Sequence, residues 1–271
     1  MGSSLDVIGP LTQTVEDAGI VLEVISGKDG LDSTLIDRAE KNYDHLDSVD
    51  LKGLRVGVVK EYFDEGLDPA IRKNIERVIG QIKKSGATIE EVSLPSSKTG
   101  LAVYYVLCPA EVSSNLSRYD GQRYGYSNKE ANDLDESYTK SRGKGFGSEA
   151  KRRIMVGTYV LSSGYYDAYY QKAQLVRTKI IQEFEDAFDR FDILIGPTAP
   201  MNAFKIGENI DDPLKMYLTD IMTVSANLAG IPAITIPAGL VDNLPSGVQL
   251  MAPQNKDKFL LSIAQKVEDI I

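Results

Sequence analysis

Apolar residues recur along the chain at two spacings, and the changes between them mark out its elements. Over residues 14 to 27, Ala18, Val21, Leu22 and Ile25 follow one another at helical intervals. Thr14 can cap this helix, Asp17 stands three residues on in a variant of the capping box, and Gly27 closes the run. Residues 28 to 52 are polar and Asp-rich with no periodic apolar face, and read as a surface connection. The run LRVGVVKEY after Gly53 predicts a strand, with Val56, Val58 and Val59 supplying β-branched character. Asp68 and Pro69 suit an N-cap and a first helical turn, and Ile71, Ile75, Val78, Ile79 and Ile82 form a helical stripe up to Gly86. Residues 88 to 94 predict a second strand. A β-α-β unit of this kind predicts an α/β sheet with covering helices.

Further along, LAVYYVLCPAEVSSNLS is helical in pattern, with a break expected at Pro109. Residues 118 to 150 have a linker's composition, but four tyrosines in one segment argue for packing or binding. The stretch KRRIMVGTYVLSSGYYDAYY, residues 151 to 170, opens on consecutive cations, turns apolar and small, and closes on two Tyr-Tyr pairs. With so few wet positions it predicts a mostly buried helix whose cationic start reaches a pocket; the alternative is a core helix with a solvated basic cap. The pattern continues as one long helix to Phe188, with Val176, Ile180 and Phe184 at four-residue steps. DILIGPTAP fits a strand buried on both faces, whose C-terminal turn opens toward a site. Residues 201 to 212 read as a loop, and 213 to 230 as an apolar helix with Asp220 in its interior. Strands at AITIPAG and SGVQLMAP and an amphipathic helix over 258 to 270 close the chain.

Composition narrows the function classes. The chain has 271 residues, 42% hydrophobic and 25% charged, which suits one large globular domain. A net charge of -9 gives no general grip on nucleic acid, and Lys151 to Arg153 is the one dense basic cluster. A single cysteine, Cys108, permits no internal disulfide and reads as a small core residue; His45 lies in a polar run. One His and one Cys assemble no metal site. No apolar run is long enough to span a membrane.

Arg153 and Asp220 sit badly with simple core packing. A charge inside an apolar helix must be paired or must meet a ligand. They could pair with each other or with neighbours. They could also flank an amino acid, its carboxylate on the guanidinium fork and its ammonium on the aspartate. Nucleophilic chemistry is poorly served: there is no G-x-S-x-G elbow and no P-loop, and Ser162-Ser163 and Ser113-Ser114 lie in helical pattern.

Five segments together carry a family resemblance: SSLDVIGPLTQTVEDAG, AEVSSNLSRYDGQRYGY, KRRIMVGTYVLSSGYYDAYY, DILIGPTAP and TDIMTVSANLAGIPAITIPAG. In order, and over nearly the whole chain, they resemble the tRNA-dependent amidotransferase branch of the amidase-signature family. The resemblance implies an α/β fold with a mixed central sheet covered by helices on both faces. It also implies that residues 1 to 271 are the C-terminal portion of a single such domain, the N-terminal part being absent. In that branch an A subunit hydrolyses glutamine, and the ammonia amidates Glu-tRNA(Gln) or Asp-tRNA(Asn). The charged tRNA is activated with ATP and magnesium by a B subunit, and a small C subunit holds the pair. The family's Ser-Ser-Lys triad precedes the SSLD segment, so no catalytic residue is assigned here, no cofactor is expected in this chain, and the chain alone is expected to be inactive. Alternatives are a non-catalytic binding or assembly chain, or a hydrolase acting on another amide. The resemblance places Arg153 as the carboxylate clamp of a glutamine pocket, Asp220 as the partner of the α-amino group, and Tyr104, with Tyr105 as the competing choice, as a pocket tyrosine. Thr223, one turn from Asp220, could line the same face. The expected location is the cytoplasm, or an organellar matrix in a eukaryote, without membrane attachment.

Overall fold

A computed structural model describes residues 1–36, 42–64, 66–208 and 213–271. The parts of the expected connections at 37–41 and 209–212 lie outside the described residues. In chain order the helices are α1 (Val15–Ile25), α2 (Pro69–Lys84), α3 (Gly100–Asn115), α4 (Leu134–Gly145), α5 (Ser148–Val160), α6 (Lys172–Phe188), α7 (Pro213–Leu218), α8 (Val224–Ala229) and α9 (Asp257–Glu268). The strands are β1 (Arg55–Val59), β2 (Thr88–Val92), β3 (Ile193–Pro197), β4 (Ala233–Val241) and β5 (Leu244–Met251). The chain packs as two compact units, one of Val7–Leu101 with Thr178–Ile271, the other of Met1–Asp6 with Ala102–Arg177.

The larger unit holds a five-stranded mixed sheet in the order β2-β1-β3-β5-β4. β1 runs parallel to both β2 and β3, while β5 is antiparallel to β3 and β4. The predicted β-α-β unit is present. Asp68 accepts from the backbone N–H of Ala70 at 2.7 Å, Pro69 opens α2, and Ile71, Ile75, Val78 and Ile82 are buried. The first helix likewise starts where its cap predicts, with Asp17 N–H donating to Thr14 Oγ1 at 3.1 Å. β3 is buried at every position, as its unbroken apolar run requires. α2 and α9 pack against the sheet, and Arg77 on α2 donates to the carbonyl of Ala238 at 2.6 Å. Strands β4 and β5 run longer than their apolar cores suggest. Asp242 and Asn243 both adopt positive φ, 52° and 63°, which makes a tight two-residue hairpin between the two strands.

In the smaller unit three expectations change. First, α3 passes Pro109 without a break. A proline removes one backbone hydrogen bond, but Leu107, Cys108, Ala110 and Val112 around it are buried and keep the helix docked. Second, the long helix from 151 to 188 is divided. α5 ends at Val160, Gly164 takes φ +85°, and one π-helical turn, Tyr166–Gln171, leads into α6. Glycine in the left-handed region cannot continue a right-handed helix. Third, α5 is not mostly buried. Gly157 and Val160 are its buried residues, and Met155 is 72% exposed. Residues 118 to 133 are ordered by α4. Ser141 Oγ accepts from Asn128 N–H at 2.9 Å, and Arg142 donates to the carbonyls of Leu116 and Tyr119, each at 3.1 Å. The tyrosines add ring contacts, such as Tyr119 with Tyr124, tilted to one another at 6.4 Å between ring centres.

Candidate functional site

Each unit carries one set of the residues singled out from the sequence. In the smaller unit, Tyr104 and Cys108 lie one turn apart on α3, and Glu149 and Arg153 lie one turn apart on α5. The two helices meet at backbone distance. A Cβ added at Gly157 would stand 1.9 Å from the Pro109 carbonyl oxygen, so only glycine fits there. That close approach, one turn beyond Arg153, brings its side chain within reach of α3. Arg153 Nη1 donates to Cys108 Sγ at 3.6 Å, and Nε donates to Glu149 Oε1 at 3.0 Å.

The Tyr104 hydroxyl meets both Cys108 and Arg153. Burial, then the hydrogen bond with Cys108, pushes the Tyr104 phenol above its ordinary pKa, against the pull of the guanidinium. Burial works against the charge of Arg153, but hydrogen bonds with Glu149 and Tyr104 outweigh it and hold the group firmly protonated. The Arg153 side chain is 28% exposed. This is a permanent cation, fixed on two sides and open to solvent on the rest, which suits the binding of an anion such as a carboxylate.

In the larger unit, Asp220 is not inside a helix. It lies in the turns between α7 and α8 and is exposed. Successive threonines cause this. Thr219 Oγ1 donates back to the Met216 carbonyl at 2.6 Å, and Thr223 Oγ1 donates to the Asp220 carbonyl at 3.1 Å. Such local bonds compete with the helical ladder. Thr219 also approaches Asp220 Oδ1 at 3.4 Å.

The flanking residues Leu218, Ile221 and Met222 line a cavity of about 370 Å³. Its other walls are Glu61 and Tyr62 after β1, Ser97 and Lys98 after β2, and Pro200 and Met201 after β3. The cavity therefore opens beyond the carboxyl ends of the three parallel strands, where open α/β sheets hold their ligands. Tyr62 is buried beside Ser225, and burial drives its phenol pKa well above the ordinary value. Lys98 and Asp64 form an ion pair at 2.5 Å by the cavity.

The sequence reading missed Glu149 and the contact made by Cys108. Glu149 falls at the end of a segment read as irregular. Its four-residue spacing from Arg153 was the available signal, and the same spacing joins Tyr104 to Cys108. Cys108 is buried, as expected of a small core residue, but its sulfur faces the guanidinium rather than only apolar neighbours.

The chain belongs to the amidase family, whose model matches residues 1–261. It is 50% identical over 268 residues to the A subunit of a glutamyl-tRNA(Gln) amidotransferase from Sulfurihydrogenibium sp. (strain YO3AOP1), covering 99% of this chain and 55% of that one. The protein of the same name from Listeria monocytogenes serotype 4b (strain CLIP80459) is 51% identical over 266 residues, with 98% of this chain and 55% of the relative covered. Among solved structures, the A subunit of the Thermotoga maritima glutamyl-tRNA(Gln) amidotransferase superposes with a TM-score of 0.76 at 38% identity, over 98% of this chain and 53% of that one. A bacterial aryl acylamidase of the amidase-signature family shares the fold, with a TM-score of 0.72 at 22% identity over 97% of this chain and 52% of that one. The chain thus spans about half the length of the relatives it matches. The mixed sheet and its packed helices are those the resemblance implied.

Proposed function

We propose that this chain supplies the glutamine-recognising residues of the A subunit in a tRNA-dependent amidotransferase. In this reading L-glutamine is hydrolysed to glutamate and ammonia, and the ammonia converts Glu-tRNA(Gln) to Gln-tRNA(Gln) or Asp-tRNA(Asn) to Asn-tRNA(Asn). The observation that carries the reading is Arg153, a cation held by Glu149 and Cys108 with Tyr104 beside it, in a chain 50% identical to such a protein. Arg153 takes the α-carboxylate, and Asp220 is proposed on the family resemblance alone as the partner of the α-ammonium. Tyr104 borders the carboxylate end, and Thr223 steadies the Asp220 turn through its hydroxyl. The side-chain amide is left to face a Ser-Ser-Lys triad supplied outside residues 1 to 271. The partners in this reading are the B and C subunits of the complex. ATP, magnesium and the charged tRNA belong mainly to the B subunit. The setting is the cytoplasm or an organellar matrix.

The test is ammonia release from L-glutamine. The chain alone should release none above the uncatalysed rate. Co-expressed with the N-terminal segment of a full-length relative, it should give saturable release, which Arg153→Ala abolishes at low glutamine. Release by the pair that is unchanged by Arg153→Ala, or activity on simple aliphatic amides but not on glutamine, would contradict the assignment.

A further inference from the structure

Glu149 stands in the first turn of α5 and divides its carboxylate between two cations. Oε1 accepts from Arg153 Nε at 3.0 Å and Oε2 accepts from Arg152 Nη1 at 2.5 Å. Spacings of three and four residues place all three side chains on one face, and an acid is favoured at a helix N-terminus. One negative charge thus faces two positive ones. The cluster keeps a net positive charge even though one edge of the Arg153 guanidinium is occupied. From α3, Cys108 Sγ receives Nη1 at 3.6 Å. The guanidinium is gripped both from its own helix and from the neighbouring one. A free arginine explores many rotamers, and ordering it during binding weakens affinity. An arginine already ordered at Nε presents its remaining N–H groups without that loss.

We infer that Glu149 is a positioning residue for the recognition of the L-glutamine carboxylate: it fixes Arg153 at Nε so that the guanidinium offers its other edge to the ligand. This rests on the glutamine reading above. A positioning role predicts an effect confined to ligands that carry the carboxylate. A merely structural role would affect every ligand and the melting temperature alike.

The experiment measures binding of L-glutamine and of L-glutaminamide, which lacks the carboxylate, to the intact chain by ligand-observed NMR, with a thermal melt of each variant. Glu149→Ala should lower the preference for L-glutamine over L-glutaminamide by about three- to tenfold. Glu149→Gln, whose carboxamide oxygen can still accept from Nε, should restore the preference to within about twofold of the original. Arg153→Ala should remove it. If Arg153→Ala removes the preference and Glu149→Ala leaves it intact, the positioning role is wrong while the glutamine reading stands. Equal weakening of both ligands by Glu149→Ala, with a lowered melting temperature, also overturns the role. If the unmodified chain shows no preference, or Arg153→Ala leaves one unchanged, the glutamine reading fails and the inference fails with it.

Discussion

At the scale of single residues, charge placement decides most of what can be said. Arg153 stood out as a candidate because a cation in an apolar stretch needs a partner, and Glu149 and Cys108 supply partners. Asp220 stood out as a candidate for the same reason, but it is exposed in a turn, so the expectation of a charge inside an apolar helix does not hold there. The helical spacing of apolar residues around it ignores the threonine hydroxyls that turn the chain there. Asp192 shows how a charge can serve structure alone. It accepts from the backbone N–H of Arg55 at 2.8 Å and from Arg55 Nη2 at 2.7 Å, joining the starts of β1 and β3. Partial burial opposes its ionised form, but the hydrogen bonds from Arg55 outweigh this and hold its pKa below the usual carboxylate value. A carboxyl with a lowered folded-state pKa stabilises the fold above its unfolded-state pKa and loses that contribution as pH falls. Asp192→Asn should therefore lower the denaturation midpoint at neutral pH. The gap to the original chain should close as the pH falls below about 4. A gap that stays constant from neutral pH to acid would contradict the ion-pair account.

At the scale of elements, the sequence spoke clearly where one physical term dominates. α2 has a capping aspartate, a first-turn proline and an isoleucine stripe, all of which agree, and it forms where they predict. β3 is short and wholly apolar, and is buried throughout. The failures fall where backbone conformation competes with side-chain pattern. Gly164 ends a run that apolar spacing would carry on, and Asp242 with Asn243, both at positive φ, set the hairpin between β4 and β5. The contact between α3 and α5 was hidden for a related reason: it depends on the lack of a side chain at Gly157. Gly157→Ala would force the Cβ onto the Pro109 carbonyl, so the helices must separate. We expect a loss of about 1–3 kcal/mol in stability by chemical denaturation. We also expect weaker L-glutamine binding, because Arg153 moves away from Cys108. An alanine variant as stable as the original would show that the helices do not depend on this approach.

At the scale of the whole molecule, the sheet positions chemistry by its direction. β2, β1 and β3 run parallel, so the segments leaving them gather at one edge around the cavity, next to residues that flank Asp220. Arg153 instead depends on helix packing in the smaller unit. The central claim is that Arg153 recognises the carboxylate of an amino acid. The most direct measurement crosses ligands with variants: binding of L-glutamine and of L-glutaminamide, which lacks the carboxylate, to the chain and to its Arg153→Ala variant. L-glutamine should lose at least about tenfold in affinity in the variant, and L-glutaminamide should be indifferent to it. Equal sensitivity of the two ligands, or L-glutamine binding unchanged in the variant, would contradict the account.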